Sequence, residues 1–201
     1  TETYDGTDYS EVNNLTTGRY ALGVFGTQNS AIAAGGAVPG YNNICSLTEE
    51  WNGTNWSEVN DLNNARWHFG SAGDSSESGI IFGGSYASPA FAIGIATTEQ
   101  WNGSSWSEVN DLNQARRHLV GAGHGSTSAL VTGGFEIAIQ NDTEEWNGTA
   151  WTSVSDIASS RAFGAAAGTQ NAGLMFGGST NASTANTVGQ TATYDGTAWT
   201  E

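Results

Sequence analysis

One phrase constrains this chain more than any other, Thr48-Glu-Glu-Trp-Asn-Gly-Thr-Asn-Trp56-Ser-Glu-Val, because it comes back. It returns as Thr98-Glu-Gln-Trp-Asn-Gly-Ser-Ser-Trp106-Ser-Glu-Val and as Thr143-Glu-Glu-Trp-Asn-Gly-Thr-Ala-Trp151-Thr-Ser-Val. Weaker copies stand at the two ends, Tyr4-Asp-Gly-Thr-Asp-Tyr9 and Tyr194-Asp-Gly-Thr-Ala-Trp199. The leading aromatics fall at 4, 51, 101, 146 and 194, giving periods of 47, 50, 45 and 48 residues. A unit of that size cannot bury its apolar face alone and must stack on its neighbours.

Each unit carries the same punctuation. Ten residues after the second aromatic comes an arginine: Arg19, Arg66, Arg116 and Arg161. Sixteen or seventeen residues later comes a glycine pair: Gly35 and Gly36, Gly83 and Gly84, Gly133 and Gly134, Gly177 and Gly178. From that pair to the next aromatic the distance drifts between 12 and 17 residues, so one loop varies while the rest keeps its spacing.

Four strands per unit follow from the pattern. A small, apolar segment succeeds each arginine (21–26, 69–73, 119–123, 163–168). A polar turn leads to an apolar run that ends in the glycine pair (79–82, 129–132, 173–176). After the variable loop comes Thr-Glu-x-Trp, then an Asn-Gly or Asp-Gly turn, whose positive φ suits a tight hairpin, then Trp-Ser-Glu-Val. The pattern predicts an all-β chain with no helix of useful length. It predicts one domain over 1–201, with repeats at about 1–47, 48–97, 98–142 and 143–190 and a partial one at 191–201. With 28 Gly the composition resembles low complexity, but eight Trp, seven Phe and six Tyr at recurring positions demand a core.

The order arginine, small-residue strand, apolar-Gly-Gly, loop, aromatic-Asn/Asp-Gly, Trp, Val resembles the kelch motif over essentially the whole chain. The resemblance implies a kelch-like β-propeller, with four tandem four-stranded blades plus an extra terminal hairpin. The wording Trp-Asn-Gly-x-x-Trp-x-x-Val-x-Asp-Leu also resembles kelch-like repeats of marine phage virion proteins.

In a stacked fold the repeated residues have structural work. Trp51, Trp56, Trp101, Trp106, Trp146 and Trp151 supply bulk to the outer strands, and the small-residue strand suits a crowded axis. The glycine pairs serve where a Cβ would collide or φ is positive. The arginines are expected to tie blade to blade, with Glu2, Glu49, Glu99 and Glu144 as partners, in preference to a cationic ring that captures an anion. His68 and His118 occupy equivalent positions where the other repeats have Ala21 and Phe163, which favours packed or surface imidazoles over metal ligands. His124 is expected in an exposed turn.

Chemistry is thin. There is no Gly-x-Ser-x-Gly elbow, phosphate loop, His-Glu-x-x-His or cysteine pair. The blade pattern is similar to the propeller of galactose oxidase, but Cys45 has no Tyr and His set to match that family's copper site. Four symmetric arginines imitate part of the sialidase triad, yet a catalytic site places unlike groups around one substrate. No Asp-x-Asp-x-Asp-Gly calcium loop occurs. The expectation is a non-enzymatic module with no cofactor and no metal, a phage virion surface component such as a capsid decoration, fibre or tail part. The alternatives are a secreted carbohydrate-binding propeller lectin and, less favoured, a propeller-fold glycoside hydrolase, for which the many carboxylates would supply the acid pair. Asn-x-Ser/Thr sites at Asn14, Asn52, Asn55, Asn102, Asn141, Asn147 and Asn181 mostly restate the turn motif.

Five Arg, no Lys and 20 acidic residues give a formal charge of −15, which repels phosphate backbones and anionic membranes. No nucleic-acid partner and no membrane insertion are expected. The expected partners are other virion or surface proteins, or a glycan, in an extracellular or virion setting. Alternating strand direction puts the loops after Gly-Gly on one face with the loops before each arginine. These loops differ between repeats, and variable loops on a rigid scaffold carry recognition. Tyr41, Tyr86, Phe91 and Phe135 within them, and Trp67 nearby, are the candidate binding residues. Five aromatic hairpins but four Arg-to-Gly-Gly segments leave one hairpin over. That surplus predicts a longer propeller or an oligomer, since an open stack exposes blade faces and strand edges.

Overall fold

The strand that follows each arginine is made of small residues because it must lie closely against its counterparts in the adjoining blades. In the computed structural model, which describes residues 1–40, 43–86, 93–181 and 186–201, these are β3 (Gly23–Thr27), β9 (Gly70–Ser75), β13 (Val120–Gly125) and β17 (Ala165–Thr169). β3 lies against β9, β9 against β13 and β13 against β17. A Cβ at Gly23 would come within 2.4 Å of the Phe69 ring, and one at Gly121 within 2.4 Å of Phe82. That is why Gly and Ala dominate this strand.

From each inner strand an antiparallel sheet runs outward. The first blade adds β4 (Ser30–Ala34), β7 (Thr48–Trp51) and β8 (Trp56–Glu58). The second adds β10 (Ser78–Phe82), β11 (Thr98–Trp101) and β12 (Trp106–Val109). The third adds β14 (Ser128–Thr132), β15 (Thr143–Trp146) and β16 (Trp151–Ser153). The fourth adds β18 (Ala172–Phe176), β19 (Thr191–Tyr194) and β20 (Trp199–Thr200). A small hairpin, β5 (Ala37–Val38) with β6 (Asn43–Ile44), decorates the first variable loop. No helix occurs among the described residues. The sheets begin half a repeat later than the recurring phrase: each Trp hairpin closes a blade. The surplus hairpin is therefore the N-terminal one, β1 (Glu2–Tyr4) with β2 (Tyr9–Glu11).

Tryptophans hold the seams. The first Trp of each phrase donates its indole N–H to the turn inside its own blade, as Trp101 does to the Ser76 carbonyl at 2.7 Å. The second reaches the preceding blade: Trp106 donates to the Thr48 hydroxyl, Trp151 to Thr98 and Trp199 to Thr143, each at 3.1 Å. Trp56 does the same to Thr1 of the surplus hairpin, so β1 and β2 stand where the outer half of a preceding blade belongs. Between blades two and three, Phe82 meets Trp151 edge-on in a core with Leu112, Leu119, Val131 and Trp146. The Asp that follows each Trp hairpin reaches back to cap the start of the hairpin's first strand: Asp61, Asp111 and Asp156 accept the backbone N–H of Thr48, Thr98 and Thr143.

The arginines tie blades together, with two corrections to the expected pairing. Arg66 accepts the Gly36 N–H of blade one on its carbonyl, while its guanidinium reaches blade two. There it donates to the Thr97 carbonyl at 2.7 Å and the Glu99 carboxylate at 2.6 Å. Arg19 with Glu49 and Arg116 with Glu144 repeat the ion pair at 3.0 and 3.1 Å. Arg161 departs: Ala192 stands at the glutamate position of β19, and the guanidinium turns to Glu201 at 3.2 Å. Glu2 has no arginine beside it. All four arginine side chains are buried, so they present no cationic ring to solvent.

The Asn-Gly connections also differ from a two-residue turn. Asn52 starts a four-residue link in which its side-chain oxygen accepts the N–H of Thr54 and of Asn55, and Gly53 alone takes positive φ. Asn102, Asn147, Asp5 and Asp195 do the same. The N–H groups of Asp8 and Thr7 hold the Asp5 carboxyl below the ordinary aspartate range, and the Thr197 hydroxyl, followed by the N–H groups of Ala198 and Thr197, does the same for Asp195. His124 lies at the end of β13 instead of in a turn, exposed and 2.9 Å from Asp74.

Candidate functional site

The inner strands start one residue (β9, β13) or two residues (β3, β17) later than the sequence suggests, because the residue two places after the arginine takes left-handed backbone. These residues are Ala21 (φ 55°), His68 (54°), His118 (54°) and Phe163 (61°). A non-glycine residue held there stores of order 1–3 kcal/mol. A ladder around the axis enforces it. His68 N–H donates to the Ala21 carbonyl at 3.1 Å, His118 to His68 at 2.8 Å and Phe163 to His118 at 3.0 Å.

Their side chains stack along the same arc. The His68 and His118 rings lie 4.0 Å apart, as do His118 and Phe163, and Trp67 sits 4.2 Å from His68. Ala21, His68, His118 and Phe163, together with Leu22, Phe69, Leu119 and Gly164, line an axial mouth of about 300 Å³. Burial, with a contribution from the Arg117 charge, lowers His68 from 6.5 to about 4. Burial first, then His68 and Arg117, lower His118 to about 3. Both imidazoles are neutral at pH 7, so the mouth is an uncharged, aromatic-lined depression. Among the described residues no three His, Cys, Asp or Glu side chains converge in a way that would hold a metal ion.

The rim is made of the loops that vary. The residue after each structural arginine bridges to the residue after the glycine pair: Tyr20 to Ala37, Trp67 to Ser85, Arg117 to Phe135 and Ala162 to Ser179. The Arg117 guanidinium lies over the Phe135 ring, 4.5 Å from its centre. Tyr86 is exposed, bonds the Thr97 hydroxyl at 2.6 Å and has the buried Arg66 guanidinium 5.8 Å from its ring centre. Ile93 and Ile137 are exposed too, at 66% and 94%.

Of the residues expected to bind, Tyr86 and Phe135 stand on this rim. Tyr41 and Phe91 lie outside the described residues. Trp67 is corrected: it is 3% exposed, wedged between His68 and Tyr20, and supports the mouth from below. Tyr20, Ile93, Ile137 and the stacked histidines were not legible as rim residues. For Ile137 the signal was its place in a variable loop, between Phe135 and Ile139, which bridge to each other and leave Ile137 at the tip.

No protein-family model and no curated protein matches this sequence. Among solved structures the chain is similar to "Structure of YjhT", with a TM-score of 0.76 and 11% sequence identity over 92% of this chain and 69% of that one. Four outward-running antiparallel sheets packed side by side through their inner strands agree with that likeness. In fold, then, this chain is a β-propeller.

Proposed function

We propose that this propeller is a non-enzymatic binding module that meets its partner through the face carrying the variable loops. One observation carries the reading. Tyr20, Tyr86, Ile93 and Ile137 are large exposed apolar side chains of this face, whereas the three Asn-Gly turns opposite carry polar residues and bury their flanking first Trp; the exposed Tyr4 and Tyr9 belong to the surplus hairpin. Exposed apolar side chains gathered around an uncharged depression suit a protein surface. We read the module as a surface component of a phage virion, such as a capsid decoration, fibre or tail part. The Trp-Asn-Gly-x-x-Trp repeat and the strongly acidic, Lys-free composition support it. Cross-linking on purified particles tests this reading. Links from the Tyr86 and Ile137 loops to another virion protein are expected. Recovery of the protein only from the soluble cell fraction would overturn it.

A carbohydrate-binding module is the second reading, favoured by Tyr20 and Tyr86, which offer exposed rings beside the aromatic mouth. A glycan array probed with the wild type and Tyr86→Ala decides it, and no binding by the wild type removes it.

A further inference from the structure

The surplus hairpin is half a blade, and its vacancies match one another. β1 pairs with β2 on one edge and with no described strand on the other, whereas its counterparts β7, β11, β15 and β19 each pair on both. Glu2 stands in register with Glu11 as Glu49 does with Glu58. Glu49, Glu99 and Glu144 each take an arginine, and their second oxygen takes a backbone N–H from the loop leading to it: Thr16, Asn63 and Asn113. Glu2 has neither, and beside it is an open space of about 390 Å³ lined also by Thr1, Glu11, Val12 and Asn14. At the axis, Ala21 is the one member of the ladder whose N–H finds no carbonyl among the described residues. Its neighbour Val24 is 54% exposed, while Ser71, its counterpart one blade on, lies against blade one and donates to the Val24 carbonyl.

A single object answers all four. We propose that the free edge of β1, with the Glu2 carboxylate and the Ala21 N–H, is the seat for a two-stranded segment patterned like the inner half of this chain's own repeat. Such a segment brings an arginine for Glu2 and, two residues later, a carbonyl for Ala21. Its small-residue strand covers Val24, and its second strand pairs with β1. Charge selects it as well as shape, since Glu2 and Glu11 bring two carboxylates to this space and no arginine stands beside Glu2.

A fluorescent peptide of residues 60–85, carrying Asn63, Arg66 and the β9–β10 hairpin, is the probe. Saturable binding to the intact protein is expected. It should weaken on the order of tenfold or more with Arg66→Ala in the peptide, and likewise with Glu2→Gln in the protein. Glu2 is exposed, so its substitution leaves the packed blades intact. Binding indifferent to Glu2→Gln overturns the proposal. Because a free peptide must order itself, the same segment is also joined to Thr1 through a flexible linker, which raises its effective concentration. Slowed hydrogen exchange of the β1 amides in that fusion is expected, and unchanged exchange overturns the proposal. A homodimer of the free protein that already protects β1 would also overturn it, in favour of a second copy.

Discussion

The indole Nε1 of Trp106 donates to the hydroxyl of Thr48, 3.1 Å away across the seam between the first and second blades. Both groups are buried, and the same ring faces Phe25 edge-on at 6.1 Å. Trp106→Phe keeps much of the volume but strands the Thr48 oxygen, so a loss of about 1 kcal/mol is expected. Trp106→Ala removes the wedge and should cost ~3–5 kcal/mol. Urea melts of the two variants separate hydrogen bond from packing, and equal losses would contradict this division.

Arg66 and Glu99 form a pair with neither side chain exposed. Removing one partner leaves a buried charge, so Arg66→Met should destabilise by ~3–5 kcal/mol. Arg161→Met should cost less, because the Glu201 side chain is 24% exposed and water can take it back. The Arg66→Met, Glu99→Leu double variant should recover part of the loss. A coupling energy near zero in that cycle would mean that the pair acts as two independent residues.

Two glycines with the same backbone separate φ from space. Gly133 and Gly177 both have φ of 65°. A Cβ at Gly133 would lie 2.3 Å from the Arg161 carbonyl oxygen, whereas at Gly177 nothing stands nearer than the Val188 carbonyl at 3.8 Å. Gly177→Ala should therefore lose only the backbone term, about 1 kcal/mol. Gly133→Ala should lose ~1–3 kcal/mol beyond it. Matched thermal melts of the two variants read the difference directly.

The stacked histidines make stability depend on pH. Their folded values lie near 4 and 3, below the 6.5 of an unfolded chain. As pH falls from 7 through 6.5 the unfolded chain takes up protons that the folded one refuses, so stability falls. The contribution is complete above 6.5 and is lost towards the folded values. Urea midpoints at pH 7 and pH 5 should differ in the wild type. The difference should shrink in His118→Phe, a change that Phe163 already makes at the equivalent position. An unchanged slope in that variant would mean that the imidazoles titrate freely.

The repeat was legible because its residues act locally or through identical neighbours. Trp51 and Trp56, Gly35 and Gly36, and the arginines mark the same places in every copy. Their burial follows from stacking like on like. The rim was less legible. Tyr86 and Phe135 stand in loops whose divergence pointed to recognition, but Trp67, equally aromatic, turned out to be buried. Nothing in a single sequence says which aromatic of a loop folds under it.

Sequence alone determined the blade: four strands, the tryptophan hairpin, the buried arginine and the glycine pair. Each depends on spacing within one unit and on a neighbour made of the same unit. Only the tertiary structure decided the phase of the blades, the turn of Arg161 towards Glu201, and the stack of His68 on His118. It also decided that half a blade stands at Glu2 without its inner strands. These depend on which copies meet around the axis, and a repeating pattern, being the same in every unit, cannot encode which residue of one copy faces which residue of the next.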